Sequence, residues 1–163
     1  MPWQPFHQVI DLPWEKAQAA TASEANKAQA AAAHALRELL ENLRDPRGSE
    51  ADSGIRVVAA GIVAGGGQDP GQIPNPHIRA HAAEGRLCRE AAESAAAANS
   101  LTRRTFSQKD LYPTLAEELK RTAAVLRSQV AALGAKQIKP WRREEKEAAA
   151  AAWGALAESN RHI

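Results

Sequence analysis

The sequence is poor in cysteine, in aromatic residues and in long apolar runs. Cys88 is the only cysteine among 163 residues, and one thiol can form neither an internal disulfide nor a cysteine-rich zinc module. Aromatic residues make up 4% of the chain. No apolar run approaches the roughly 20 residues of a membrane span, and residues 1–5 lack the features of a secretory signal. We therefore expect a protein of the cytoplasm or of a virus particle, with no membrane partner.

The charge is nearly balanced and the apolar content is mostly alanine. The chain has 21 Lys and Arg against 19 Asp and Glu, which argues against a strongly basic nucleic-acid binder. Alanine occupies 37 positions, and burying its methyl group contributes much less than burying a leucine side chain. A core of this kind is marginal in an isolated domain, which favours close helix packing together with association between subunits.

Prolines and glycines divide the chain into predicted segments. The three prolines of residues 1–13 predict an extended, apolar N-terminal arm. Alanine content, helix-starting prolines and helix-ending glycines predict helices near 14–44, 76–99, 107–133 and 140–159. Residues 45–75 are predicted to be irregular, with a short helix over the apolar stretch 55–64, because no other segment offers a strand to pair with it. The predicted fold is all-α, with about four main helices in a bundle or in elongated hairpins, forming a single helical unit over 14–163.

The four tryptophans lie near the two ends of the chain, two near the start and two near the finish. An aromatic arm usually lies in a groove, either on its own domain or on a neighbouring subunit. The tryptophans form an aromatic core where the two ends meet, or they anchor an interface, since tryptophan is enriched at binding hot spots. The predicted partner-binding residues are Trp3, Phe6, Ile10, Trp14, Trp141 and Trp153.

The motifs for metal and cofactor chemistry are incomplete. His77 and His81 are four residues apart on a predicted helix, the spacing with which two imidazoles hold zinc, and Glu84 or Glu90 could add a carboxylate. No third ligand is assured, so these two histidines are only candidate ligands, and neither a metal nor another cofactor is predicted. The glycine-rich residues 61–67 lack the lysine of a phosphate-binding loop.

Basic residues in the C-terminal half form a candidate nucleic-acid contact, in which Trp141 would stack on a base. The neighbouring acidic residues 144–147 weaken this field, which favours salt bridges within or between proteins instead. The candidate contact residues are Arg103, Arg104, Lys136, Lys139, Arg142 and Arg143.

These features together predict a non-catalytic structural or assembly protein that acts through helix packing and its apolar arm. Its partners would be protein, through self-association or within a larger assembly. By analogy, a bacteriophage particle component from a GC-rich host has such a composition. A nucleic-acid-binding or regulatory helical module is the first alternative, and a metal-dependent helical enzyme is the second.

Overall fold

The computed structural model describes residues 3–44, 55–134 and 140–160 and divides the chain into two compact units. We call Met1–Val57 with Gly66–Asn99 the helical unit, and Val58–Gly65 with Ser100–Ile163 the sheet unit. Each unit has its own cluster of buried apolar side chains.

Two long helices, α1 (Trp14–Arg44) and α2 (Pro76–Ala98), form most of the helical unit, close to their predicted bounds. No glycine or proline interrupts α1. The side chain of Asn75 caps α2, and Pro76 occupies its first position, where the missing N–H has no partner to lose. Single 3-10 turns precede the two helices, at His7–Val9 and Pro70–Gln72.

The two helices pack on each other through small residues, as the alanine content predicted. Ala17 of α1 lies in one buried cluster with Ala80 and Ala83 of α2. At the other end of α2, the amide of Asn99 donates a hydrogen bond of 3.1 Å to the carbonyl of Ala33. The helices therefore run in the same direction, and residues 34–44 of α1 extend past this contact.

The sheet unit contains a two-stranded parallel sheet, so the all-α prediction is wrong. Strand β1 (Ala59–Ala64) pairs with β2 (Thr102–Ser107), with Ala59 opposite Thr102 and Ala64 opposite Ser107. The apolar stretch predicted as a short helix is therefore a strand. Its partner was missed because β2 is mostly polar and because residues 65–101 separate the strands, which leaves no hairpin signal in the sequence.

Three helices complete the sheet unit: α3 (Leu111–Glu118), α4 (Ala123–Leu133) and α5 (Arg143–Ser159). The predicted continuous helix over 107–133 is broken between α3 and α4. Lys120 there has a φ of 55°, and the hydroxyl of Thr122 caps α4 by accepting from the N–H of Val125. The core of this unit includes the fully buried Leu115 and Val130.

Candidate metal centre

The first turns of α2 place two imidazoles side by side. Asn75 Oδ1 accepts hydrogen bonds from the N–H groups of His77 (3.0 Å) and Ile78 (3.1 Å), which fixes where the helix begins. His77 and His81 are then one turn apart on the same face. Their Nε2 atoms lie 3.1 Å from each other, and both side chains are exposed.

A third imidazole comes from the N-terminal segment. His7 lies in the 3-10 turn that precedes α1. The neighbouring Phe6 is buried against α1 and α2, and its ring stacks on Trp14 at a centroid distance of 5.7 Å. This apolar anchor holds the segment on α2, and it brings the His7 ring to the two histidines of the helix.

The three rings form a compact cluster, which we call the histidine cluster (His7, His77 and His81). The ring centroid of His7 is 4.5 Å from that of His81 and 5.4 Å from that of His77, and the rings meet edge to face. One ligand nitrogen from each residue can be chosen so that all three lie within 4.8 Å of one another. The cluster is composed entirely of residues of the helical unit.

Glu84 supports the cluster from the next turn of α2. Its Oε1 accepts a hydrogen bond of 2.8 Å from the backbone N–H of Phe6 and lies 3.5 Å from Nδ1 of His7. Both ring nitrogens of His7 are buried, and neither makes a hydrogen bond within the protein; the contact with Glu84 lacks hydrogen-bond geometry. Buried polar atoms normally have a bonding partner, so these two nitrogens are available to bind a ligand such as a metal ion.

The pair His77 and His81 has the ligand spacing that a zinc ion requires, and the third imidazole lies close to this pair. Zn–N bonds of about 2.0–2.1 Å imply nitrogen–nitrogen separations of about 3.3–3.4 Å in a tetrahedral site. The 3.1 Å between His77 and His81 is close to this value. A carboxylate beside the non-ligating nitrogen is the usual partner of a zinc-bound histidine, and Glu84 has this position beside Nδ1 of His7. With Nδ1 turned to Glu84, Nε2 of His7 would be the nitrogen available to the metal.

Sequence reasoning found two of the three histidines and missed His7. The spacing of His77 and His81 is visible because both lie on one helix. His7 is 70 positions before His77, and only the packing of the N-terminal segment brings them together. The available signal was the aromatic character of that segment, which predicted that it lies in a groove. The structure shows that groove on the protein's own helical unit.

Most of the predicted partner-binding residues have intramolecular contacts. Phe6 belongs to the core cluster of the helical unit, and Ile10 and Trp14 pack against this cluster. Trp141 and Trp153 pack against the core cluster of the sheet unit. The predicted core shared by the two chain ends is therefore two separate clusters. Trp3 is the one of the six with a largely exposed side chain, at 47%.

The predicted nucleic-acid contact residues differ in their surroundings, where the structure describes them. The guanidinium of Arg104 forms two hydrogen bonds with the carboxylate of Glu118 and lies 3.3 Å from Glu158; the bond to Glu118 raises the pKa of Arg104. Arg103 and Arg142 are exposed, and Arg143 donates to Glu147 at 2.7 Å. Lys136 and Lys139 lie outside the described residues.

Trp141 is also engaged within the protein. Its indole N–H donates a hydrogen bond of 3.2 Å to the carbonyl of Val130. Its ring covers Gly134 so closely that a Cβ there would lie 2.0 Å from it. The indole of Trp141 thus packs against the C-terminal end of α4.

Comparison of the chain with protein-family models, curated proteins and solved structures found no match. Within the described residues, no helix combines the length and the apolarity that crossing a bilayer requires. The function is therefore inferred from the geometry of the site.

Proposed function

We propose that this chain is a zinc-binding helical protein in which one Zn²⁺ fastens the N-terminal segment to α2. The observation that carries this proposal is the convergence of the ligand nitrogens of His7, His77 and His81 to within 4.8 Å. Imidazole nitrogens suit Zn²⁺ and the neighbouring late first-row metals. Three histidines would leave one coordination position for water or for a group from a partner.

The placement of the ligands supports a stabilising role over a catalytic one. One ligand is on the N-terminal segment and two are on α2, so the ion would cross-link positions that are 70 residues apart in the chain. Such a link removes conformational freedom from the unfolded chain and makes metal binding part of folding. A pocket of about 130 Å³ in the helical unit is lined by Phe6, Thr21, Leu87 and neighbouring residues, and its lining does not include the histidine cluster.

Zinc titration of the full-length, chelator-treated protein tests the proposal. We expect one Zn²⁺ per chain by calorimetry and, at a free zinc concentration of 100 times Kd, a stabilisation of about 2.7 kcal/mol. For a unit of this size that corresponds to a rise in Tm of roughly 10 °C or more. Hydrogen exchange should show the gain in amide protection in residues 3–12 and in the first turns of α2.

Histidine variants separate the cluster from general surface binding. His7→Gln and His77→Gln should each weaken zinc binding by about 10- to 100-fold or more. Even the loss of a residue that only hydrogen-bonds to a metal ligand has an effect of this size. The matched control is His34→Gln, because His34 lies on α1 with 70% of its side chain exposed. Zinc binding that is unchanged in His7→Gln, or equally weakened in His34→Gln, would contradict the proposal.

The assembly role is a second candidate function. Its support is the exposed apolar surface at the C-terminal part of α1, where Leu39 and Leu43 are 54% and 36% exposed and lie one turn apart. Self-association is the simplest use of such a surface, and the narrower role of a bacteriophage particle component stays a prediction. The mass of the protein in solution tests self-association, as described below.

A further inference from the structure

The sheet unit contains a pocket of about 430 Å³ whose lining is dominated by cationic side chains. Three elements form it: the start of α3, the outer face of α4 and the first turns of α5. Its volume lies within the range of small-molecule sites, about 300–1,000 Å³. We call it the basic pocket, and its charged lining residues are Lys109, Arg127, Arg143, Lys146 and Glu147.

Four cations in this pocket share a single carboxylate. Glu147 is buried, and its two oxygens accept hydrogen bonds of 2.7 Å from Gln108 and Arg143. Lys109 and Lys146 have no carboxylate within ion-pairing distance among the described residues. The lining of the basic pocket therefore has three more cationic groups than carboxylates, four against one.

An aromatic side chain forms part of the pocket wall. Tyr112 is 5% exposed, and the guanidinium carbon of Arg127 lies 3.9 Å from the centroid of its ring. This stacking orients the planar guanidinium, which reduces the entropy that Arg127 would lose on binding a ligand. Burial raises the pKa of the Tyr112 hydroxyl above its ordinary value of 10.0.

We infer that the basic pocket binds a small molecule that carries a diphosphate or two neighbouring phosphate groups. Two phosphate groups would be neutralised by the unpaired cations Lys109, Arg127 and Lys146. The guanidinium provides two parallel donors for phosphate oxygens, whereas the ammonium groups act as point charges. This site lies in the sheet unit, so its existence does not depend on the zinc proposal for the helical unit.

The distribution of charge favours a small ligand over a nucleic acid. A nucleic-acid backbone needs cations spread along its path. Arg104, however, is bound to Glu118 and Glu158, and Arg103 precedes it on β2, where neighbouring side chains point to opposite faces. Three unpaired cations, Lys109, Arg127 and Lys146, instead converge on one pocket.

Calorimetric titration of the full-length protein with inorganic pyrophosphate tests the inference. The protein is treated with chelator and then freed of it, because pyrophosphate also binds zinc. At about 50 mM salt we expect one site per chain, and each of Lys146→Gln and Arg127→Gln should weaken binding about tenfold, the effect of losing one charge-assisted hydrogen bond. Glu147→Gln should strengthen binding, because it removes the only carboxylate of the pocket.

Matched controls make the result decisive. Lys120→Gln and Arg103→Gln remove the same charges from exposed positions of the sheet unit outside the basic pocket, and both should bind like the unmodified chain. Lys109→Gln, at an exposed position, replaces Arg127→Gln if that variant loses helical circular dichroism. The inference is overturned if pyrophosphate does not bind, or if the controls weaken binding as much as the pocket variants. It is also overturned if a single-stranded oligonucleotide binds far more tightly than pyrophosphate and its affinity is unchanged by Lys146→Gln.

Discussion

Glu147 is a buried carboxylate whose charge is maintained by its neighbours. Burial of the side chain favours the protonated form and by itself raises the pKa. The hydrogen bonds from Gln108 and Arg143 and the charges of Arg143 and Arg127 outweigh this effect, so the pKa of Glu147 lies below its ordinary value of 4.5. The ionised carboxylate thus ties α5 to the segment before α3.

This lowered pKa predicts how the stability of the sheet unit depends on pH. A carboxylate whose pKa is lower in the folded state stabilises that state above about pH 4.5, and the contribution is lost as the pH falls through the folded-state pKa. The free energy of unfolding of Glu147→Gln should therefore decline less steeply than that of the unmodified chain between about pH 5 and 2. Urea denaturation at a series of pH values measures this slope.

The control for the acid experiment is Glu117→Gln, because Glu117 is an exposed carboxylate on α3. Its slope should match that of the unmodified chain. If all three proteins lose stability in parallel, Glu147 has no special role in acid denaturation.

The candidate metal site shows how far single residues can be interpreted from sequence. The spacing of His77 and His81 was sufficient to mark a possible metal ligand pair, because a helix fixes which residues are neighbours. The contribution of His7 depends on the contact of Phe6 with α2, a tertiary contact that no local pattern encodes. The same limit applies to Lys109 and Arg127, which meet Lys146 only when α3, α4 and α5 pack together.

At the scale of elements, β1 and α5 approach each other closely at Gly61, where the strand has no side chain. A Cβ built on Gly61 would lie 2.2 Å from the backbone carbon and oxygen of Ala151. Because backbone atoms cannot rotate away, the two elements would have to separate to admit even a methyl group. Glycine at this position sets the distance between the strand and the helix.

Gly61→Ala should therefore destabilise the sheet unit by about 3 kcal/mol, the upper part of the range for overpacked cores. The matched control is Gly65→Ala, one residue beyond the end of β1, where a Cβ would meet nothing within 4 Å. The free energies of unfolding of both variants, from urea denaturation followed by circular dichroism, give the comparison. Equal stability of the two variants would show that α5 does not approach β1 as closely as described.

The helices were more predictable than the strands, for physical reasons. In α1 and α2, high helix propensity coincides with local start and stop signals such as Pro76 and its cap Asn75. The break between α3 and α4 involves Lys120 in the left-handed region. A lysine in the sequence gives no signal for this conformation, so the break could not be predicted. The sequences of the two strands show only short, weak patterns of apolar residues. Their pairing depends on tertiary contacts, both between the strands and with α5.

At the scale of the whole molecule, the sparse aliphatic residues predicted that the chain gains stability from partners. Each unit buries its own cluster, with small residues dominating the helical unit, and association with partners stays a prediction. The exposed apolar side chains that remain include Leu39 of α1 and Leu133 of α4, which are 54% and 53% exposed. They allow a matched test of self-association.

We expect the mass from light scattering to rise with concentration as copies associate through the exposed apolar face of α1. Leu39→Gln should lower the mass at a given concentration, because it removes apolar area from that face while preserving the helix. Leu133→Gln makes the same change at the same exposure in the sheet unit and should leave the mass unchanged. A monomer at every concentration, or equal effects of both variants, would remove the support for association through α1.

The order of the two units along the chain has a consequence for inheritance. Strand β1 lies in the sequence between the two helices of the helical unit, so a single crossover anywhere between α1 and β2 separates at least one element from its partner. Recombination after residue 99, for example, would transmit β2 and α3–α5 without β1. The two units can therefore pass from one gene to another only together, and duplication or shuffling of either one alone would yield an incomplete core.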